Sequence, residues 1–155
     1  MLDGQAIAEE LYAMEREPAD KVLHRAVERI HAVGSPYDWV GIYLLAGDSL
    51  VLHSYIGRPT DLTRIPVGEG VCGTAVAEGR DINVPDVNAF DGYLACSVET
   101  KSEIVVLIKD GERIVGEIDI DSDTPAAFDE RAESELRRVA DALGEIIGAK
   151  LGTNS

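Results

Sequence analysis

The chain holds two cysteines, Cys72 and Cys96, whose thiols are candidates for redox or nucleophilic chemistry. Cys72 follows Gly-Glu-Gly-Val at the predicted start of a short helix, where backbone amides and the helix dipole stabilise a thiolate. The alternative role for Cys72 is packing as a small buried hydrophobic residue. Cys96 falls in a long predicted loop, 85–100, and such loops more often bind ligands than pack. The separation of the two thiols along the chain neither requires nor excludes a contact between them.

A second chemical feature is a set of acids on two predicted neighbouring strands. Glu117, Asp119 and Asp121 alternate along one strand, so their side chains share one face of the sheet. Antiparallel pairing of that strand with the one that begins near Glu103 could bring Glu103 beside Asp119 and Asp121. Crowded carboxyl groups repel one another, which raises the pKa of at least one of them and provides a proton donor near neutral pH. A cation bound between the carboxylates would also neutralise their repulsion. The alternative is a solvated strand face in an acidic protein.

The three histidines do not extend the thiols into a metal site. His24, His31 and His53 show no ligand spacing with either cysteine, and two cysteines alone are too few for a structural zinc site. We therefore predict no resident metal and no bound cofactor.

Helices are predicted at both ends of the chain. Apolar residues recur at helical spacing in two N-terminal segments within 1–35, divided at Glu17-Pro18 because proline suits only the first turn of a helix. A short helix is predicted over 71–78, and a long amphipathic helix over 128–151.

Strands are predicted in the middle of the chain, where aromatic and β-branched residues are concentrated. The predicted strands are 39–45, 50–56, 81–84, 103–109 and 113–121. Turns at 46–49 and at Asp110-Gly111 join two pairs of them into hairpins. Hairpins in the middle and helices at the ends predict an α+β fold, in which the terminal helices cover one face of an antiparallel sheet and the middle loops cover a ligand pocket on the other. We predict a single domain over 1–155, with N-terminal helices (1–35), sheet and pocket loops (39–121) and a C-terminal helix (128–151).

Composition excludes several classes of partner. The formal net charge of −15 would repel nucleic acid and anionic membrane surfaces, so neither is expected as a partner. No stretch approaches the roughly 20 apolar residues of a membrane helix, and the N-terminus carries acids where an export signal carries a basic segment and an apolar run. These features predict a cytoplasmic protein with reduced thiols.

Five blocks of the sequence resemble a known family. In chain order they are Trp39-Val-Gly-Ile-Tyr43, Arg64-Ile-Pro-Val-Gly-Glu-Gly-Val-Cys72-Gly-Thr-Ala, Pro85-Asp-Val-Asn-Ala-Phe-Asp-Gly-Tyr-Leu-Ala-Cys96, Ser102-Glu103-Ile-Val and Ile118-Asp119-Ile-Asp121-Ser122. Their order and intervals, from about residue 39 to 140, resemble those of the free methionine-(R)-sulfoxide reductases, which are stand-alone GAF-domain enzymes.

The resemblance implies a six-stranded antiparallel sheet and a cytosolic homodimer that reduces free methionine-(R)-sulfoxide with electrons from thioredoxin. It also implies roles for individual residues: Cys96 as the attacking thiol, Cys72 as the resolving thiol, Glu103, Asp119 and Asp121 as substrate-binding acids, with Glu103 and Asp121 also catalytic, and Trp39 and Tyr43 as an aromatic pocket wall. Many members carry a third cysteine where this chain has Leu62, so the resemblance is to a two-cysteine variant. Asp is also common in the family at the position of Ser97, and His at that of Tyr93. The competing prediction is a GAF sensory module that binds a small molecule or nucleotide without chemistry.

Overall fold

The computed structural model describes residues 1–94 and 97–152, and it confirms the predicted α+β order, with helices at both ends and hairpins between them. The strands are β1 (Trp39–Ala46), β2 (Ser49–Ile56), β3 (Arg64–Pro66), β4 (Ile82–Val84), β5 (Ser102–Asp110) and β6 (Arg113–Ser122). The helices are α1 (Gly4–Tyr12), α2 (Ala19–His31), α3 (Gly70–Glu78) and α4 (Glu130–Gly152), with a 3-10 turn at Val87–Ala89. The strands form one antiparallel sheet in the order β3-β2-β1-β6-β5-β4.

The two predicted hairpins, β1–β2 and β5–β6, are confirmed. Gly47 and Gly111 occupy the turns with φ of 65° and 64°, a left-handed conformation that glycine adopts without strain. The residue pattern of 57–70 indicated no strand, and here the structure corrects it: β3 pairs with β2 through Ile65 and Leu50. β3 is a three-residue edge strand that ends in Pro66, so it is too short to show alternation and carries a residue that edge strands tolerate.

One side of the sheet, here named the helix face, packs against α2 and α4, and α1 packs on those two helices. The even-numbered strand residues Ile42, Ile104, Ile118 and Ile120 point to this side and are 0–1% exposed. The helices contribute buried leucine, isoleucine and valine residues at the predicted helical spacing: Leu11, Val22, Leu23, Val27, Ile30, Leu136, Val139, Leu143 and Ile147. Burial of each such side chain stabilises the fold by roughly 1.5–3 kcal/mol. The prediction that the terminal helices share one face of the sheet is confirmed.

The opposite side, here named the loop face, is covered by α3 and by loops. α3 lies very close to the backbone of β3, because a Cβ atom on Gly73 would lie 2.4 Å from the carbonyl oxygen of Pro66. A residue without a side chain is therefore required at this point of the helix. The result is a second, smaller apolar cluster in which Cys72 is buried.

Within the described residues, no helix is both long enough and apolar enough to cross a membrane.

Candidate active site

The acids of β5 and β6 lie together on the loop face. Register places Glu103 opposite Asp121, so the antiparallel hairpin brings the two strands' carboxyl groups side by side, as predicted. Glu103, Glu117, Asp119 and Asp121 are only 4%, 0%, 1% and 2% exposed. The alternative prediction, a solvated strand face, is therefore wrong.

The thiol of Cys72 lies beside this cluster of carboxyl groups, because α3 covers the loop face of the sheet. Cys72 is the third residue of α3, and its Sγ donates a hydrogen bond of 3.9 Å to Oε2 of Glu103. Ligating atoms of Cys72, Glu103 and Asp119 all lie within 4.8 Å of one another, and all three side chains are buried. Elements that are far apart in the chain thus bring a thiol and carboxyl groups to one point.

Cys72 is not activated in the way that its position in the helix predicted. Burial raises the pKa of its thiol well above the ordinary value, and the charges of Asp119, Glu117 and Glu103 raise that pKa further. Near neutral pH Cys72 is therefore a protonated thiol. The helix dipole acts here, but desolvation and three neighbouring acids outweigh it, which the sequence position of Cys72 alone did not indicate.

Two acids of the cluster carry raised pKa values. Burial raises the pKa of Glu117 well above its ordinary value, the Cys72 thiol partly opposes that shift, and the charge of Asp119 adds to it. Burial likewise raises the pKa of Asp119, although contacts with Glu103 and Cys72 partly oppose it. Neither carboxyl oxygen of Glu117, nor Oδ1 of Asp119, has a hydrogen-bond partner among the described residues. Glu117 was not among the predicted site residues; its alternation with Asp119 and Asp121 was the signal.

A small cavity of about 10 Å³ adjoins this cluster. Its lining combines the predicted Cys72, Glu103 and Asp119 with Leu62, which stands where many relatives carry a third cysteine, and with residues given no role from the sequence: Ile65, Gly70, Val71 and Leu94. Such a volume accommodates about one water molecule. An amino acid enters only if a lining side chain moves, and Leu94 is the one that comes from the predicted binding loop.

Trp39 and Tyr43 lie on the loop face but do not line this cavity. The ring of Trp39 stacks on Tyr55 with centroids 5.4 Å apart, and it extends over Gly41, where a Cβ atom would lie 2.4 Å from the ring. Tyr43 is fully buried, and its hydroxyl donates a 2.6 Å hydrogen bond to the carbonyl of Leu62. Trp39 is paired with Asp121 across the β1–β6 ladder.

Cys96, the predicted attacking thiol, lies outside the described residues. The described chain resumes on both sides of it, and Leu94, which lines the cavity, precedes it by two residues.

The fold and the site together define a GAF domain. The family model described as "GAF domain" matches residues 18–147, most of the chain. This chain belongs to the GAF domain family.

Relatives within that family narrow the assignment. The chain is 41% identical to the free methionine-R-sulfoxide reductase of Escherichia coli over 110 residues, which are 71% of this chain and 66%, just under two thirds, of that relative. It is 36% identical to the type II free methionine-R-sulfoxide reductase of Thermoplasma acidophilum, with a TM-score of 0.82 over 87% of this chain and 96% of the other. The Neisseria meningitidis free methionine-R-sulfoxide reductase, solved in complex with its substrate, matches with a TM-score of 0.86 at 31% identity over 97% and 91% of the two chains. These matches confirm the family that the sequence motifs indicated, the free methionine-R-sulfoxide reductases.

Proposed function

We propose that this chain is an oxidoreductase that reduces free L-methionine-(R)-sulfoxide to methionine. The observation that carries the proposal is the buried meeting of the Cys72 thiol with the carboxyl groups of Glu103 and Asp119. The relatives named for this activity, one of them bound to its substrate, support the choice of substrate.

The acids supply the proton that the reaction needs. A sulfoxide oxygen is a poor leaving group, so attack on sulfur requires proton delivery to that oxygen. One of Glu103, Asp119 and Asp121 delivers it, and the raised pKa of Asp119 supports a role as a neutral acid. The remaining anionic carboxylates pair with the α-ammonium group, a charge that methionine within a peptide lacks. Trp39 and Tyr43 lie on the same face as the acids but outside the cavity lining, so the expected aromatic wall for the methyl group and the ammonium requires the pocket to widen toward them when substrate binds.

The two thiols act in sequence. The Cys96 thiolate attacks the sulfoxide sulfur, the sulfur–oxygen bond breaks, and the products are methionine and a Cys96 sulfenic acid. The Cys72 thiol then attacks that sulfenic acid, releasing water and forming a Cys72–Cys96 disulfide. Both attacks proceed through a thiolate, so Cys72 has to lose its proton before it resolves the sulfenic acid.

Chain connectivity supports a contact between the two thiols. Successive Cα atoms are about 3.8 Å apart, so the Cα atom of Cys96 lies within about 7.6 Å of that of Leu94. Leu94 and Cys72 line the same cavity. Disulfide formation requires Cα atoms within roughly 7 Å, so the proposal requires the loop to bring Cys96 to that distance from Cys72.

The rest of the proposal concerns how the disulfide is reduced, and the location and oligomeric state of the protein. Thioredoxin reduces the disulfide by thiol exchange, which returns both cysteines to the reduced state. We further propose a cytoplasmic homodimer with no bound cofactor.

Turnover with purified components tests the proposal. NADPH consumption with thioredoxin, thioredoxin reductase and free methionine-(R)-sulfoxide should greatly exceed consumption with the S epimer. The N-acetylated sulfoxide should be a poor substrate, because its nitrogen carries no charge. Equal rates on both epimers, or equal rates on free and acetylated compounds, would contradict the proposal. Ligand binding with no change in the thiols would instead favour a sensory GAF module.

A further inference from the structure

We propose that the reduced protein holds one thiophilic divalent cation, of the zinc type, between Cys72, Glu103 and Asp119, with Glu117 as the fourth ligand, and that this cation inhibits the enzyme. The cation is not a cofactor of the reaction. The binding part of the inference stands by itself, and only the inhibition rests on the proposed function.

The distances suit a zinc ion. A tetrahedral zinc ion with bonds of about 2.0–2.3 Å holds its ligand atoms roughly 3.3–3.8 Å apart. The ligating atoms of Cys72, Glu103 and Asp119 already lie within 4.8 Å of one another, and the Cys72–Glu103 pair is at 3.9 Å. Coordination therefore needs each of these three side chains to move by about an ångström or less, and Glu117, whose oxygens are not among the atoms within 4.8 Å of one another, has to approach the ion to become the fourth ligand.

Unused buried oxygens point to a ligand at this place. Glu117 is 0% exposed, and among the described residues its carboxyl oxygens meet the geometry of no hydrogen bond, although the nearby Cys72 thiol lowers its pKa against the effect of burial. Oδ1 of the buried Asp119 also has no hydrogen-bond partner among the described residues. Buried polar atoms in folded proteins nearly always have a partner, and a cation between the two carboxyl groups supplies one.

The size of the cavity selects a bare ion. A volume of about 10 Å³ admits one atom-sized ligand but not an amino acid. Mg²⁺ keeps several waters in its coordination shell, and Ca²⁺ takes 6–8 oxygen ligands, so neither fits beside Leu62, Ile65 and Leu94. A sulfur ligand also favours zinc over both of these cations.

Coordination uses the groups that the reaction needs. The thiol proton of Cys72 and any carboxylic proton of the cluster leave to solvent when the ion binds. The bound ion then withholds the resolving thiol and the substrate-binding acids Glu103 and Asp119 at the same time. Oxidation of Cys72 to a disulfide removes the sulfur ligand, so the site belongs to the reduced protein alone.

Direct binding to the reduced, chelator-treated protein tests the site. Calorimetry with Zn²⁺, and the ultraviolet thiolate-to-metal band with Cd²⁺, should each show about one equivalent bound. The Cd²⁺ band should disappear in Cys72→Ser and persist in Cys96→Ser. Glu117→Gln should weaken Zn²⁺ binding at least tenfold, whereas Glu112→Gln, an exposed acid at the turn of the same hairpin, should leave it unchanged.

Opposite results overturn the inference. Binding that survives Cys72→Ser would assign the metal to surface acids of a chain with net charge −15. A band lost in Cys96→Ser would assign a different ligand set, and several weak equivalents would likewise exclude a single site.

Activity separates this inference from the proposed function. Stoichiometric Zn²⁺ should abolish sulfoxide reduction, and a chelator should restore it. A protein that reduces the sulfoxide but binds no Zn²⁺ would overturn the inference and leave the proposed function intact. A protein that binds Zn²⁺ as described but reduces no sulfoxide without metal would keep the site, contradict the proposed function and remove the inhibition from the inference.

Discussion

The two faces of the sheet differ sharply although they share the same strands. On β6, Ile118 and Ile120 point to the helix face among apolar side chains, while Asp119 and Asp121 point to the loop face, where they are just as buried. The helix face stabilises the fold through hydrophobic burial. The loop face keeps buried groups that each disfavour the folded state unless they are paired or neutral. Neighbouring residues of one strand therefore serve different purposes: those on the helix face stabilise the fold, and those on the loop face are available for chemistry.

The largest expected effect comes from the thiols of the loop face. Cys96→Ser should abolish even a single turnover, because the attacking group is gone. Cys72→Ser should release about one methionine per chain and then stop, because the sulfenic acid has no resolving thiol. Quenched-flow measurement of methionine, with dimedone trapping of the sulfenic acid on Cys96, checks both expectations.

The opposite pattern, with a burst from Cys96→Ser and none from Cys72→Ser, would exchange the two roles. In the parent protein, substrate should remove both alkylation sites and form one Cys72–Cys96 disulfide by mass spectrometry.

The next effect concerns the acids of the loop face. Glu103→Gln and Asp121→Asn should each slow turnover at least tenfold, since a positioned proton donor contributes roughly 10²–10⁴-fold. Steady-state kinetics with free methionine-(R)-sulfoxide measures the loss, and Glu112→Gln provides the exposed control on the same hairpin. Rates within twofold of the parent for both variants would remove these acids from the reaction.

A substitution on the helix face should lower the stability of the fold and leave the turnover rate unchanged. Leu143 is 0% exposed within the apolar cluster, so Leu143→Ala should lower the free energy of unfolding by roughly 2–5 kcal/mol. Turnover at temperatures where the variant stays folded should equal that of the parent. Denaturant unfolding and activity on the same samples check this, and a large loss of turnover in a fully folded variant would break the division between the faces.

The smallest effect is a pH dependence of stability that originates on the loop face. The folded-state pKa of Glu117 is raised above its ordinary value of 4.5, so the stability that this group contributes is fully present below about pH 4.5 and is lost as pH rises toward the folded-state pKa. Glu117→Gln should remove a slope of at most about 1.4 kcal/mol per pH unit in that window. Unfolding titrations from pH 5 to 8 with a chelator present measure it.

Glu112→Gln should leave that slope unchanged, because Glu112 is exposed. Identical slopes for the parent and Glu117→Gln would show that Glu117 is not buried as a neutral acid.

Sequence periodicity was sufficient to predict most of the fold because the terminal helices carry their apolar residues on one side and β6 alternates isoleucines with acids. The alternation of Glu117, Ile118 and Asp119 predicted both the strand and its sidedness, and Asp110-Gly111 predicted the turn. β3 was not predicted, because an edge strand of three residues is too short to show alternating apolar and polar residues.

The residues of the candidate site could be predicted from the sequence, but their burial and the charges that surround them could not. Glu103 and Asp119 meet Cys72 as expected, yet the raised pKa of the thiol depends on burial and on carboxyl groups contributed by another element. Local sequence around Cys72 indicated either activation by the helix dipole or burial as a small hydrophobic residue, and it did not indicate the carboxyl groups beside the thiol. The cavity residues Leu62 and Leu94 come from irregular segments, where no periodicity marks which side chains point inward.

The alternation along β6 also constrains how the chain can misfold. Because the side-chain period of a strand is two, a slip of one residue between β6 and its neighbours would turn Glu117, Asp119 and Asp121 toward α2 and α4 and turn Ile118 and Ile120 away from them. Such a state would bury the acids in an apolar cluster with no thiol and no opposing carboxyl group. The acidic residues of the candidate site thereby penalise every odd-numbered shift in the pairing of β6, and they help to exclude those registers during folding.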